Sequence, residues 1–397
     1  MINDELIKVA SEQFRTPFYL YNKAEIVAHT KILKSTIFES AQLFFSMKAN
    51  PEKMIIKCLS EQGCGVEVAS LGELKLALEA GCNPYNIIFT GPGKEKDELE
   101  MAIEIGIYCI NIENILEIEI ISEIASRLKK DVNIAIRINP QSRTTGKISM
   151  NGVTQFGIRP AQVGEAIEHA RKSDYVHLIG FQIYAGTQIL NSNVISENVE
   201  QMIDIVFEMV DKYNLSIKYL NFGGGFGVPY FSNDTELDMK MLHANLRAIY
   251  EKYPKLAEIS RIIFESGRYI LAEAGVFVVK VLYEKVVCGS KFLICDGGSN
   301  FHSSAAFLGR FVRNNFPMHS ISDKTEEEKV TIVGNLCTPS DVIGQNVTIK
   351  KVDVGDLIVV EKSGAYGLSF SPSGFLCHRL PVEIMYDNGI FLELGKG

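Results

Sequence analysis

From about residue 42 onward, the chain alternates short apolar runs with amphipathic segments, and this order restricts its fold more than any other feature. The apolar runs predict eight strands, and the segments between them show apolar residues at helical spacing. The predicted strands are residues 43–47, 65–69, 87–90, 108–112, 132–138, 178–185, 219–222 and 261–265. This alternation predicts an α/β fold of the (β/α)8 TIM-barrel type. A doubly wound sheet is the alternative, but no Gly-x-Gly-x-x-Gly motif opens a helix after the first strand.

After about residue 270 the helical spacing nearly disappears. Short strand-like segments follow, separated by turns that contain Gly, Asp and Ser. The predicted strands there are residues 276–284, 292–295, 329–333, 346–351, 357–361 and 382–386. The sequence therefore predicts a barrel over residues 23–270 and an all-β domain over residues 271–397, which the N-terminal residues 1–22 join.

Charge and composition exclude several classes of function. The chain carries 48 acidic and 40 basic residues among 397, with no basic block, which argues against a nucleic-acid-binding surface. The first residues are acidic and do not form a signal peptide, and no apolar run is long enough to span a bilayer. The eight cysteines lack metal-ligand spacing, so we expect free thiols, no metal site and a reducing cytoplasm.

Lys48 ends the first predicted barrel strand, directly after the apolar residues 43–47. Barrel enzymes carry their active sites at the carboxyl ends of the strands. A lysine at such a place is a candidate to form a Schiff base with an aldehyde cofactor. A strand-end lysine that simply reaches solvent is the alternative.

Three consecutive glycines, residues 223–225, follow the seventh predicted strand. Backbone N–H groups without side chains between them converge readily on an anion, and barrel phosphate sites lie after strands seven and eight. Glu265 ends the eighth strand, and Arg268 follows it. The carboxylate is suited to a pyridinium nitrogen and the guanidinium to a phosphate, while a structural ion pair between the two is the alternative.

Glu67 and Arg137 stand among apolar neighbours inside predicted strands. Because buried charges need partners, the sequence predicts that they form a pair or a network, with or without a catalytic task. In the β-domain, Cys337 and Asp341 are candidates for an acid and a substrate contact, and a buried thiol is the alternative for Cys337. Tyr366 lies in a predicted loop and is a candidate to contact a cofactor phosphate or the substrate.

In this order the motifs resemble the fold-type III pyridoxal-phosphate enzymes, the family of ornithine, arginine and diaminopimelate decarboxylases. The resemblance covers nearly the whole chain. It rests on Met-Lys-Ala-Asn at residues 47–50, the glycine-rich residues 223–227, Glu-Ser-Gly-Arg at 265–268, Leu-Cys at 336–337 and Gly-Ala-Tyr at 364–366. It implies an alanine-racemase-like barrel followed by a β-domain, pyridoxal 5'-phosphate as cofactor, and a head-to-tail homodimer with shared active sites.

The resemblance also implies roles for individual residues. Lys48 carries the cofactor, Glu265 faces its pyridine nitrogen, and Cys337 reaches the active site of the partner subunit. Thr187 replaces a serine of the family. The residues that we expect to bind the cofactor are Lys48, Glu67, Arg137, Tyr184, Thr187, Gly224, Gly225, Glu265, Gly267, Arg268 and Tyr366. Those that we expect to contact the substrate are Cys337, Thr338, Asp341 and Tyr366, with Lys48 and Cys337 as the catalytic pair.

Three departures from the family pattern bear on the substrate. Tyr184 stands where the basic-amino-acid decarboxylases carry a histidine that stacks on the cofactor, and its ring can also stack. Thr338 stands where diaminopimelate decarboxylases have an acidic residue, and residues 296–302 lack their carboxylate-binding arginine. A site built for a charged group discriminates strongly against its loss, so the sequence disfavours a role in lysine biosynthesis.

Residues 89–94, 184–188, 223–231 and 364–372 are similar to the members of the family that act on glutamate held on a carrier protein in antibiotic biosynthesis. We therefore expect a cytoplasmic α-decarboxylase whose substrate is L-glutamate bound as a thioester to an acyl-carrier protein. Arg310 and Arg313 are candidate contacts of that acidic carrier. The alternatives are diaminopimelate decarboxylation, an amino-acid racemase and a non-catalytic cofactor-binding protein. The β-domain with Cys337 argues against the last.

Overall fold

The computed structural model describes residues 2–140, 148–149, 154–306 and 314–395. The chain begins with helix α1 (Asp4–Gln13) and strand β1 (Phe18–Asn22). The elements of the next part are, in chain order, α2 (Lys23–Thr36), β2 (Ala41–Ser46), α3 (Lys53–Glu61), β3 (Gly65–Val68), α4 (Leu71–Glu79), β4 (Ile87–Thr90), α5 (Lys96–Ile105), β5 (Cys109–Ile112), α6 (Ile115–Leu128), β6 (Val132–Ile138), β7 (Ile148–Ser149), α7 (Val163–Ala170), β8 (Val176–Ile183), β9 (Gly186–Thr187), α8 (Ser192–Tyr213), β10 (Tyr219–Asn221), α9 (Met239–Lys252), β11 (Arg261–Ser266) and α10 (Arg268–Leu271).

Eight parallel strands close into a barrel in the order β2, β3, β4, β5, β6, β8, β10 and β11, and β11 pairs back with β2. The strands are mostly continuous runs of buried residues, as expected where helices cover the outside and side chains fill the inside. The (β/α)8 barrel predicted from the sequence is thus confirmed. Each predicted strand is present, and its ends differ from the observed ones by no more than two residues.

Polar side chains at the helix starts explain where several of the barrel helices begin. Asn114, Asn191 and Asp238 each accept a hydrogen bond from a backbone N–H group in the first turn of the helix that follows. These N–H groups have no partner inside the helix, so the caps stabilise the junctions between strand and helix. The caps thus help to fix where each loop ends and the following helix begins.

The C-terminal part of the chain forms a second sheet, separate from the barrel. Its strands are, in chain order, β12 (Gly275–Val287), β13 (Ser290–Cys295), β14 (Met318–Ile321), β15 (Glu327–Val333), β16 (Val342–Lys350), β17 (Leu357–Val360), β18 (Val382–Asp387) and β19 (Ile390–Glu393). Together with β1 they form a nine-stranded sheet, which we call the β-domain. The predicted boundary at residue 270 falls inside α10, so we propose a boundary between Leu271 and Gly275.

Strand β1 lies in the middle of this sheet, antiparallel to β12 and parallel to β18. Its five residues are all buried, and the first four alternate between two apolar cores. Phe18 and Leu20 belong to a core within the β-domain, and Tyr19 and Tyr21 belong to the large core shared with the barrel. The N-terminal strand therefore joins the two parts of the molecule.

A loop of the β-domain reaches the carboxyl end of the barrel. The Tyr366 N–H group donates a hydrogen bond to the carbonyl oxygen of Ala49 at 2.8 Å, and the Ser369 hydroxyl donates to the same oxygen at 3.0 Å. The segment after β2 is thus held by both domains. No helix among the described residues is long and apolar enough to cross a membrane.

His319 on β14 connects the N-terminal helix to the β-domain. Its Nδ1 lies 2.9 Å from Glu361 Oε1, and its Nε2 lies 2.9 Å from Asp4 Oδ1 in α1. The hydrogen bond to Glu361 raises the pKa of His319 against the opposing effect of burial, and the bond to Asp4 raises it further. Protonated His319 therefore ties α1 to the sheet.

We expect the substitution His319→Gln to destabilise the protein in a pH-dependent manner. A histidine with a raised folded-state pKa stabilises fully below its unfolded pKa of about 6.5, and the contribution is lost as pH rises through the folded pKa. The melting temperatures of the wild type and the variant should thus differ most near about pH 6 and converge at alkaline pH. Thermal unfolding across pH measures this. Asp4→Asn should show part of the effect, and a difference independent of pH would contradict the prediction.

Candidate active site

A small cavity opens at the carboxyl ends of the barrel strands. It is lined by Ser46, Lys48, Tyr184, Thr187, Gly224, Gly225, Phe226, Glu265, Ser266, Gly267, Arg268 and Tyr366. Most of these residues follow β2, β8, β10 or β11, whose ends meet on one side of the barrel. The cavity contains every residue predicted to bind the cofactor except Glu67 and Arg137.

Lys48, which lines this cavity, forms an ion pair with the buried Glu67. The Lys48 Nζ atom lies 3.1 Å from Glu67 Oε1 and 3.0 Å from Oε2, and Glu67 is only 2% exposed. Burial alone would lower the pKa of Lys48, but the negative groups around it, with Glu67 as the largest contributor among them, together outweigh burial and raise that pKa. Lys48 is therefore held as an ammonium group beside a base. Its nitrogen becomes a nucleophile once the proton has left, and Glu67 is the acceptor in contact with it.

Glu265 lies at the end of β11 with one oxygen fixed by amides. Its Oε1 accepts hydrogen bonds from Gln182 Nε2 at 3.0 Å and Asn221 Nδ2 at 2.8 Å. Burial of Glu265, and then the charge of Glu67, raise its pKa to about 7. A carboxyl group with a pKa near neutrality is suited to share a proton with a ring nitrogen.

Arg137 pairs with Glu113 and not with Glu67. Its Nη1 atom lies 2.7 Å from Glu113 Oε1, and its guanidinium carbon lies 4.8 Å from the centre of the Phe156 ring. The predicted Glu67–Arg137 pair is absent among the described contacts because each of the two charges has another partner. Arg137 does not line the cavity, but its positive charge opposes the rise that burial causes in the pKa of Glu265.

The glycine loop (residues 223–227) forms one wall of the cavity. Gly225 has φ +110°, and a Cβ atom there would lie 2.5 Å from the carbonyl oxygen of Gly186. At Gly224 a Cβ atom would lie 2.3 Å from the carbonyl oxygen of Glu265. Only glycine lets the backbone pass this close. Within the described part of the chain, no acceptor takes the N–H groups of Gly224 and Gly225.

Arg268 stands beside the glycine loop. Its Nη1 atom donates to the Tyr230 hydroxyl at 3.2 Å, and its guanidinium carbon lies 4.5 Å from the centre of the Tyr366 ring. Within the described residues its buried Nε atom has no hydrogen-bond partner. Because an unpaired buried donor is costly, this atom and the loop amides fit an anionic group bound between them. Arg268 does not form the alternative ion pair with Glu265.

Tyr184 packs against the other side of the glycine loop. A Cβ atom at Gly223 would lie 2.4 Å from its ring. Burial raises the pKa of Tyr184 to about 12, so the side chain stays neutral at physiological pH. A stacked histidine at this position could carry a charge, whereas Tyr184 supplies an uncharged ring and a hydroxyl.

Cys337, Thr338 and Asp341 lie in the loop between β15 and β16, and none of them lines the cavity. Cys337 is exposed, unlike the buried thiol of the alternative interpretation. Asp341 is buried, and its two carboxylate oxygens accept the N–H groups of Ser299 at 2.6 Å and Leu336 at 2.9 Å. We therefore propose that Asp341 supports the loop rather than contacting the substrate as predicted.

Several site residues were not predicted from the sequence. They are Ser46, Gln182, Asn221, Phe226, Tyr230 and Ser266. The available signal for Asn221 was a polar side chain two residues before the first of the three glycines, and no such signal marked Tyr230. Arg310 and Arg313, the candidate carrier contacts, lie outside the described residues.

The residues present fit pyridoxal phosphate. An amine is available for its aldehyde, a carboxyl group for its ring nitrogen, and an anion site with an unpartnered arginine nitrogen for its phosphate. The three features belong to one cavity, which is the arrangement that the cofactor requires.

Comparison with known proteins agrees with this geometry. The family model of the pyridoxal-dependent decarboxylases, for their pyridoxal binding domain, matches residues 23–272. The L-glutamyl-[BtrI acyl-carrier protein] decarboxylase of Niallia circulans is 42% identical over 393 residues, which cover 97% of this chain and 92% of that protein. The diaminopimelate decarboxylase of Bacteroides thetaiotaomicron is 31% identical, with 92% of this chain and 94% of that protein covered. A crystal structure of diaminopimelate decarboxylase from M. jannaschii superposes with a TM-score of 0.89 at 27% identity, covering 97% of this chain and 90% of that one.

We expect Gly225→Ala to weaken the binding of pyridoxal phosphate by about tenfold or more, because the added Cβ displaces amides that contact a charged group. Affinity is measured by titrating the apoprotein and following absorbance. Binding of pyridoxal, which lacks the phosphate, should change much less. Gly93→Ala is the matched control, since a Cβ atom there meets nothing within 4 Å. Equal losses for both ligands would contradict the assignment of the loop.

Proposed function

The chain belongs to the pyridoxal-dependent decarboxylases, and on this premise we propose that it removes the α-carboxylate of L-glutamate whose γ-carboxyl group is held as a thioester on an acyl-carrier protein. The observation that carries the proposal is the cavity in which an amine, a carboxyl group and an anion site lie together. The substrate class is supported by the relative at 42% identity, which decarboxylates a glutamyl carrier protein. A place in antibiotic or other secondary metabolism, and a cytoplasmic location, are parts of this proposal.

The side chains of the cavity divide the chemical work between them. Pyridoxal phosphate supplies an electron sink when bound, so that the bond to the α-carboxylate can break. Lys48 is the attachment point for the aldehyde carbon, and Glu67 orients its Nζ atom. Glu265 holds a proton shared with the ring nitrogen, while Arg268 and the glycine loop hold the phosphate. After CO₂ leaves, Lys48 Nζ or Sγ of Cys337 of the partner subunit returns a proton to the α-carbon.

The far end of the substrate distinguishes the proposal from diaminopimelate decarboxylation. Diaminopimelate carries a charged amine at that end, and Thr338 offers it no carboxylate. A charged group without a partner is bound poorly, whereas a thioester is uncharged and needs no such partner. The racemase and the non-catalytic alternatives receive no support from the matched family, which consists of decarboxylases.

We further propose that the enzyme is a homodimer with shared sites. Cys337 is exposed in the loop between β15 and β16, and neither it nor Thr338 lines the cavity of its own chain. If both residues contact the substrate, they must do so in the cavity of a second copy. The carrier protein is the other proposed partner, because it brings the bound substrate to the enzyme.

We expect Lys48→Ala to abolish the visible absorbance of the bound cofactor and to lower CO₂ release by about a thousandfold or more, because the attachment point is lost. Absorbance spectra and a CO₂ assay measure both effects. Lys53→Ala is the matched control, since Lys53 is a surface lysine nearby that pairs with Glu79. Full activity of Lys48→Ala would refute the assignment.

The substrate is tested by CO₂ release from meso-diaminopimelate, free L-glutamate, and L-glutamate linked as a thioester to a carrier protein or to pantetheine. We expect release from the thioesters and at least about a hundredfold less from the free amino acids, because the site lacks charged partners for them. Preferred turnover of diaminopimelate would instead place the enzyme in lysine biosynthesis. Conversion of an L- to a D-amino acid without CO₂ release would indicate a racemase.

A further inference from the structure

Glu265 is held by two buried amides that the family chemistry described above does not use. Gln182 on β8 and Asn221 on β10 are register partners on neighbouring strands, and both donate to the same oxygen of Glu265. Gln182 is 1% exposed and Asn221 is 0% exposed. Two polar side chains inside an apolar barrel are costly, so a specific task must compensate for their burial.

The orientation of the Asn221 amide is fixed by the backbone. Its Oδ1 atom accepts the N–H group of Gly223, the first residue of the glycine loop, at 2.8 Å. A backbone N–H group can only donate, so Nδ2 must be the atom that faces Glu265. Because Nδ2 can only donate as well, Glu265 Oε1 must accept, which favours the ionised carboxylate.

The second hydrogen of Asn221 Nδ2 enters a chain of buried polar groups. Asn221 donates to the Tyr219 hydroxyl at 2.9 Å, and that hydroxyl donates to Asn111 Oδ1 at 3.1 Å. Asn111 in turn donates to Thr90 Oγ1 at 2.8 Å. Each group in this series therefore donates its hydrogen to the next one, in the direction that leads away from Asn221. This series of hydrogen bonds runs through the barrel interior from β10 to β4. It therefore holds the Asn221 amide by a contact other than the one with Glu265.

Among the described contacts, the Gln182 side chain makes one hydrogen bond, whereas the Asn221 side chain makes three. Its Nε2 atom donates to Glu265, and within the described residues its buried Oε1 atom has no partner. Removing this side chain would therefore break a single hydrogen bond and also remove an unpaired polar atom. On stability alone, its replacement by an apolar side chain should therefore be neutral or stabilising, so a contribution to stability does not explain the burial of this amide.

We propose that Asn221 and Gln182 are positioning residues that hold Oε1 of Glu265 as a carboxylate oxygen and present Oε2 to the ring nitrogen of the cofactor. Asn221 also links the two ends of the cofactor site, since its amide contacts both Glu265 and the glycine loop. This inference rests on the proposed role of Glu265 and not on the identity of the substrate. The other groups that face Glu265 are Lys48, Glu67, Arg137, Tyr184 and Tyr219.

Gln182→Met gives the sharpest test, because methionine has a similar length and cannot donate. We expect the melting temperature to stay the same or rise and kcat to fall about tenfold. The pH at which the absorbance of the bound cofactor changes should move upward by about one unit, because a donor to the charged form of Glu265 is lost. Asn221→Leu should show larger effects of the same sign. Asn198→Leu is the matched control, a buried amide with an unpartnered Nδ2 and no contact with Glu265.

A double-mutant cycle separates positioning from general stability. In a Glu265→Gln background there is no carboxylate to hold, so Gln182→Met should change kcat by less than about twofold. An undiminished effect of Gln182→Met in that background would overturn the inference, as would an unmoved spectral transition in the single variant. If Glu265→Gln itself leaves the spectrum and kcat unchanged, the proposed role of Glu265 fails instead. The spectral readout needs no substrate, so it is independent of the carrier-bound glutamate proposal.

Discussion

The positive charge of Lys48 is the interaction on which the top of the barrel depends. Glu67 is nearly inaccessible and Glu265 is buried close to it, so the two carboxylates would repel each other in an apolar environment without a cation between them. Arg137 is engaged by Glu113 and cannot take the place of Lys48. The residue proposed to carry the cofactor is therefore also the one that allows an acidic site to exist there.

The parts of the structure that follow from local pattern could be predicted. Strands buried on both faces are continuous apolar runs, and their carboxyl ends must meet, which brought Lys48, the glycine loop and Glu265 together. The choice of partners could not be predicted in this way. Glu113 lies just beyond the end of β5, where nothing in the sequence marks it as the partner of Arg137. The contact between Asp4 and His319 joins residues 315 positions apart.

Residues inside the barrel and residues on the β-domain loops contribute differently to the proposed function. In the proposed function, groups inside the barrel, such as Lys48 and Glu265, serve chemistry that does not depend on which amino acid is decarboxylated. Differences in substrate between relatives would then arise where the far end of the substrate lies, and we propose Thr338 on a β-domain loop as such a position. A relative at 31% identity can therefore share the fold and the reaction type and still act on another substrate.

The position of β1 in the sheet constrains the order in which the parts of the molecule can fold. This fully buried strand is synthesised before its sheet neighbours β12 and β18, which begin only at residues 275 and 382. While the barrel strands are being made, the four apolar and aromatic residues of β1 and its backbone N–H and C=O groups have no sheet partners. The last barrel strand ends at Ser266, so cotranslational folding can complete the barrel first, whereas β1 can pair with β18 only after residues 382–387 have been made.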